Sequence, residues 1–341
     1  MIKNRQFVFP ILIAVMFFSI VISAGIGPVY IMPGDILSIL GEKFFHLQSA
    51  NLPDWMQSII IDQRLPRIII AVIIGASLAV SGALMQALFH NPLADPYIIG
   101  VSAGASLGAV VAMVGIGSAF YVTSPFINNN IVVLLSFIGG IISAILVYII
   151  ARKNGKVSVA TLLLTGIAIG GMMQALTTFI MLQQQTTDLK SIMTRLMGSF
   201  STASWSDVLV ILPFAVIGVF LTFLITKQLD ILSLGDDEAH HLGINVKVIR
   251  TIILVIATLL ASISVALFGI IAFVGLIVPH ISRLLMGPKH KLLITCSIFL
   301  GAILLIWSDA IARSIIPAKE IPIGIITSVI GSIFFLYLLK K

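Results

Sequence analysis

Ser102 is the side chain whose setting most resembles that of a nucleophile. It stands in Gly100-Val101-Ser102-Ala103-Gly104, the spacing of an elbow in which a serine on a sharp strand-to-helix turn is activated by a histidine. His280, beside Pro279, is the histidine inside a long apolar run that could serve it. No strand-like segment precedes Gly100, however, and the pattern opens an apolar helix. There, small residues let two helix backbones approach closely. An acyl-transfer reading and a packing reading compete for the same five residues. Phosphoryl chemistry has less to stand on. Gly155-Lys156 is followed by Val157, so the hydroxyl residue that holds magnesium in a nucleotide-binding loop is missing. The chain is not expected to hydrolyse ATP, and no polar segment is long enough to be a fused ATPase. His240 and His241 are adjacent, so on a helix they diverge and make a poor metal site. Met172, Met173, Met181, Met193 and Met197 would line a metal or haem path, or simply fill gaps between helices. Cys296 is the single cysteine and can form no internal disulfide.

Arginine carries a stronger signal. Arg64 and Arg67, in Arg64-Leu65-Pro66-Arg67, and Arg313 all stand at the ends of apolar runs. A guanidinium binds carboxylates bidentately through a fixed fork of donors. One reading is local, with snorkelling side chains or pairs to Asp62, Asp309 or Glu320. The other is a basic docking surface for carboxylates on an extracytoplasmic partner.

The elements that must position these residues are membrane helices. Of 341 residues, 59% are hydrophobic and only 10% charged, against about 25% charged in soluble domains. The mean hydropathy is +1.16. A soluble protein of this size could not cover its surface with so few charges, so the class is all-α, polytopic membrane protein. The net charge of +7 does not point to nucleic acid, because the basic residues lie in short clusters between apolar runs. Those runs fall at 7–29, 68–89, 97–122, 131–151, 159–182, 208–226, 249–268, 270–286, 292–312 and 321–339. The stretch 249–286 is too long for one crossing, and Gly269, Gly275 and Pro279 offer places to break it. With ten spans and both termini in the cytoplasm, the inner side holds 13 of the Lys and Arg residues and the outer side 7. A single crossing at 249–286 would make the tally 10 against 10. The positive-inside rule therefore favours ten spans. The basic N-terminus before the first run also fits a signal peptide, but the run is long for one and reads as a retained span.

Three segments lie between spans. Residues 30–63 and 187–203 fall outside, the second as a short amphipathic helix. Inside, about residues 230–245 hold Leu234, Gly235, Asp236, Asp237, Glu238, Ala239, His240, Leu242 and Gly243. Three acids after one glycine suit a helix N-terminus, and Gly243 suits its end. The spacing predicts a small cytoplasmic helix exposing Ala239, His240 and Leu242. Asn91, Pro92, Leu93, Ala94, Asp95 and Pro96 form a cytoplasmic turn. Its prolines stop a helix, and Asn91 and Asp95 are natural caps. It is either a plain tight turn or a contact point for a cytoplasmic partner.

Taken together, these residues resemble the permease subunits of the FecCD family, the iron-siderophore, haem and vitamin B12 importers of the ATP-binding-cassette class (type II). The resemblance spans essentially the whole chain, as a single permease domain over 1–341. It rests on Arg64-Leu65-Pro66-Arg67, Gly75-Ala76, Ser81-Gly82, Gln86 and Asn91 to Pro96. It continues through Met197-Gly198-Ser199 ahead of Trp205, Leu234-Gly235 to Leu242-Gly243, and Phe273-Val274-Gly275-Leu276 to Pro279-His280. It ends with Asp309, Arg313 and Glu320-Ile321-Pro322-Ile323-Gly324. It implies a homodimer of ten-helix subunits in the inner membrane, with two ATPase subunits below and an extracytoplasmic substrate-binding protein above. ATP and magnesium would sit on the partner ATPase, and this chain would bind no cofactor. By resemblance, Arg64, Arg67 and Arg313 receive glutamates of the binding protein, and the 234–243 segment couples to the ATPase. Ser158, Val159, Ala160 and Thr161 would begin the helix that lines the path and its gate. Val159 and Ala160 replace small hydroxyl residues usual there, and Gly269-Ile270-Ile271 replaces the family's Gly-Pro-Ile.

The expected activity is import of a bulky metal chelate, iron-siderophore first, with haem, cobalamin and molybdate as alternatives on the same scaffold. An ion-coupled secondary transporter would need a buried acid in mid-span, and Asp309 lies near an outer end. An intramembrane serine protease would need Ser102 or Ser106 against His280.

Overall fold

An apolar run in lipid must satisfy its backbone within itself, which a helix does. The computed structural model follows that rule; it describes residues 7–46, 52–116, 125–153, 156–184, 186–316 and 320–340. Among these residues, seven helices are long and apolar enough to cross a membrane. Three shorter apolar helices, Val101–Val114, Val274–Met286 and Ile323–Leu338, complete the expected ten.

In chain order the helices are α1 (Val8–Gly25), α2 (Pro33–Phe45), α3 (Asp54–Phe89), α4 (Val101–Val111), α5 (Pro125–Ala151), α6 (Val159–Met181) and α7 (Thr186–Leu196). There follow α8 (Trp205–Leu224), α9 (Thr226–Leu232), α10 (Asp236–His241), α11 (Val246–Phe268), α12 (Val274–Met286), α13 (His290–Ala312) and α14 (Ile323–Leu339). A two-residue antiparallel ribbon, Arg152–Lys153 with Lys156–Val157, joins α5 to α6.

The centre is α3. Its most apolar stretch is 89% buried inside the protein, against 28% for α8 at the same mean hydropathy of 2.5. Hydropathy therefore does not decide which helix is central; small residues do. A Cβ on Gly75 would strike the carbonyl of Gly301 on α13, and one on Gly82 would strike that of Gly275 on α12. Only bare backbones pack so closely. Helices α8, α11, α12 and α13 surround α3, and α4 packs on α5 and α6.

Two boundaries differ from the sequence expectation. Helix α3 starts at Asp54, not near 68, because a π-helical segment, Ile59–Arg64, carries it outward. That widened turn accommodates Pro66, which lacks an N–H and would crowd the carbonyl four residues back. The stretch 249–286 breaks at Gly269 (φ +75°) and Phe273 (φ +68°), while Gly275 and Pro279 stay inside α12.

Candidate functional site

At one end of the bundle, α10 is held as a rigid projection. Gly235 (φ +125°) precedes it and Gly243 (φ +80°) follows it, both in backbone conformations that favour glycine. The Asp236 carboxylate accepts from Arg250 Nη2 at 2.9 and 2.8 Å, which ties α10 to α11. Leu234, Asp237, Glu238, His240 and Leu242 are exposed. Ala239 is not: it is fully buried against the core. The expectation that Ala239 is exposed is therefore corrected. One short helix has only one inward face, and Ala239 occupies it.

The turn after α3 meets this assembly. Asn91 Oδ1 accepts from the Leu93 amide (2.9 Å) and Asp95 Oδ1 from the Tyr97 amide (2.8 Å), so both act as caps. Asn91, Pro92 and Leu93 are exposed, while Ala94 and Pro96 are buried. Burial pushes the Asp95 carboxyl up to about 6. His90 Nε2 lies 2.9 Å from the Leu232 carbonyl at the end of α9, and Asp230 accepts from the His290 amide at 2.8 Å. The turn, α9 and the start of α13 are thus knitted together.

Helix α6 begins beside α10. Ser158 Oγ accepts from the Thr161 amide (3.1 Å) and contacts the Thr161 hydroxyl (2.9 Å), and that hydroxyl also bonds the Ala151 carbonyl at 3.2 Å. These two hydroxyls cap and anchor the helix; Val159 is half-buried and Ala160 exposed. Ser158 and Val159 share a cleft of about 820 Å³ with Asp236, His240, Lys247 and Arg250. The two sets that the sequence assigned to coupling and to the gate therefore line one space.

The opposite end carries the arginines, and all three are buried. Arg67 Nε meets Asp309 Oδ1 at 2.8 Å, and its Nη1 meets both Glu320 oxygens at 2.9 and 3.0 Å. Arg64 donates to the carbonyls of Ala24 (2.6 Å), Gly25 (3.2 Å) and Val29. Arg313 donates to the Ser23 carbonyl and hydroxyl, both at 2.6 Å, and lies 3.6 Å from Asp309. The last carbonyls of a helix have no partner within it, so Arg64 and Arg313 add their donors to the backbone cap that Ile26 and Ile31 give the end of α1. Of the two readings, the geometry is that of local pairs, with Asp309 and Glu320 but not Asp62.

Ser102 lies in the first turn of α4. Two residues on, Gly104 abuts the backbone of Gly139 on α5, and His280 packs edge-to-face on Phe334, 5.9 Å between ring centres. The pattern is helix packing.

One arginine escaped sequence reasoning. Arg195, at the end of α7, lines a second cleft, of about 620 Å³, near α11. Its only sequence signal was its position on an amphipathic outer helix.

The profile of the FecCD transport family matches residues 13–341. The cobalamin import system permease protein BtuC of Halobacterium salinarum is 40% identical over 290 residues, 85% of this chain and 75% of the relative. The Fe(3+)-citrate import system permease protein YfmD of Bacillus subtilis is 38% identical over 340 residues, 99% of this chain and 96% of the relative. The chain also superposes on a solved structure described as an inward-facing conformation of a metal-chelate type ABC transporter. The TM-score is 0.82 with 31% identity, covering 97% of each chain.

Proposed function

The chain belongs to the FecCD transport family, and from that premise we propose that it imports an iron chelate by alternating access, driven by partner ATPases. As a permease subunit it supplies the membrane path and no catalysis of its own. The iron-citrate relatives match it over 99% and 94% of its length, which supports an iron chelate over haem, cobalamin or molybdate. Two copies of the chain form the path. Two ATP-binding-cassette subunits, with their ATP and magnesium, sit beneath the α10 end, which is cytoplasmic together with both termini. An extracytoplasmic binding protein lands on the arginine end. Arg64, Arg67 and Arg313 then act mainly by fixing the shape of that landing surface.

The observation that carries this reading is the shared cleft between α10 and the start of α6. Pushing on exposed Leu234 and Leu242 moves α10. The Asp236–Arg250 pair passes that movement to α11, and the cleft wall passes it to α6. Two packed arrangements biased by a partner are sufficient for alternating access.

The test is chelate uptake into proteoliposomes holding the permease, its ATPase and its binding protein. Uptake of a ferric chelate should require ATP and all three components. The Leu234→Glu, Leu242→Glu double variant should lower uptake by about tenfold or more, as expected for loss of two apolar anchors, while the permease stays monodisperse. Uptake independent of the ATPase would overturn the reading.

A further inference from the structure

The second cleft lies at the arginine end, outside the cluster. The Trp205 indole donates to the Ile61 carbonyl at 3.0 Å, which fixes this region beside the outer end of α3. Its walls are Met113 just past α4, the last turns of α7, Ser199, Ser201 and Thr202, and Leu267 and Phe268 at the end of α11. Its volume, about 620 Å³, is that of a small-molecule site.

Its charge is one-sided. Lys190 and Arg195 line it, and among the described residues no carboxylate does. Arg195 is half-buried, yet among the described residues nothing hydrogen-bonds or ion-pairs its guanidinium. Asp207 is the acid that acts on it from a distance, and that carboxylate is engaged by the Ser204 hydroxyl at 2.6 Å and amide at 3.0 Å. Burial pulls the affinity of Arg195 for its proton below the usual arginine range, a cost that a bound anion would offset. The Ser199 hydroxyl donates to Ser201 Oγ at 3.0 Å, which leaves the Ser201 proton to donate into the cleft. The walls are also pre-set. Ser199 N donates to the Phe268 carbonyl (3.0 Å) and Ile270 N to that of Leu196 (3.1 Å), so the polar groups are held before anything binds.

We propose that this cleft is an anion-binding vestibule, in which Arg195 and Lys190 receive the negatively charged oxygen donors of a metal chelate on its way to the path. Leu267 and Phe268 give the apolar parts of the chelate a floor. The proposal rests on the importer reading and narrows its cargo to anionic chelates.

The test uses Thr202→Cys in the full chain in nanodiscs, with Cys296 fully buried and so silent. Alkylation of that thiol by a negatively charged reagent should run faster than by a positively charged one. Arg195→Gln should shrink the rate ratio by about fivefold or more, and Arg195→Lys should restore most of it. Millimolar ferric citrate should protect the thiol, with protection weakened about tenfold in Arg195→Gln, while uncharged ferric trihydroxamate should not protect. Absent protection by ferric citrate, or protection unchanged in Arg195→Gln, would overturn the vestibule. Protection retained in a chain that transports no chelate would overturn the importer reading and leave the vestibule standing.

Discussion

At Arg67 two carboxylates meet one guanidinium, Asp309 at 2.8 Å and Glu320 at 2.9 Å; at Arg195, at the same end of the bundle, no carboxylate among the described residues does. The first setting is closed. Two carboxylates offset most of the charge of three guanidiniums, and Arg64 and Arg313 direct donors at the carbonyls of α1. The second is open, with cations and hydroxyls around a space. The contrast teaches that an arginine at a membrane edge must be judged by what remains of its hydrogen-bonding capacity, not by its position. The sharpest way to break the comparison is to remove each in turn. Arg67→Ala leaves buried Asp309 only its longer pair with Arg313, at 3.6 Å, and should cost about 3 kcal/mol of stability, read as a fall in the unfolding midpoint in detergent. Arg195→Gln should stay within about 0.5 kcal/mol of the parent in the same assay. Equal losses would mean that both arginines are structural.

Much of the fold is legible in the sequence because lipid imposes it. The ten apolar runs reappear as ten helices, and Gly243 and Asp95 cap where their residue types suggest. What escapes is non-local. That Ala239 points inward depends on the core it meets. That α3 is central and α8 peripheral depends on Gly301 and Gly275, more than 190 residues away from their partners Gly75 and Gly82. The pairing of Arg67 with Glu320 spans 253 residues, so residue types alone leave it open, and the family resemblance favours a docking role over it. Arg195 was missed because an amphipathic outer helix reads as a solvated surface. Its burial comes from the 268–270 segment strapped across it, a contact no local pattern announces.

Salt separates the two settings without any mutation. Exposed charges are screened beyond about 10 Å at 0.1 M salt, and buried pairs much less. Raising sodium chloride from about 0.05 to 0.5 M should weaken ferric citrate protection at the Arg195 cleft several-fold. The unfolding midpoint that reports the Arg67 cluster should barely move. Within that cluster a smaller difference is expected. Glu320 is 38% exposed and Asp309 1%, so Glu320→Gln should cost less than about 1 kcal/mol. Asp309→Asn, which removes the buried counter-charge of Arg313 and leaves Arg67 only Glu320, should cost several times more by the same measurement.

The finest test of the open setting is Asp207. This carboxylate acts on Arg195 through space and also completes the capping box of α8, with its Oδ2 on the Ser204 amide and hydroxyl. The two roles pull apart in Asp207→Asn. The asparagine side-chain oxygen can still accept from the Ser204 amide, so the helix start should lose well under 1 kcal/mol. The negative charge that competes with an incoming anion is gone. Affinity for ferric citrate, read from thiol protection at Thr202→Cys, should therefore rise by about twofold. In the parent it should fall as salt is added, and in Asp207→Asn more steeply, because Arg195 then faces the solution with less of its field cancelled. A fall in affinity on losing Asp207 would mean that the acid holds Arg195 in place, and that the cleft is built around a pair like the one at Arg67.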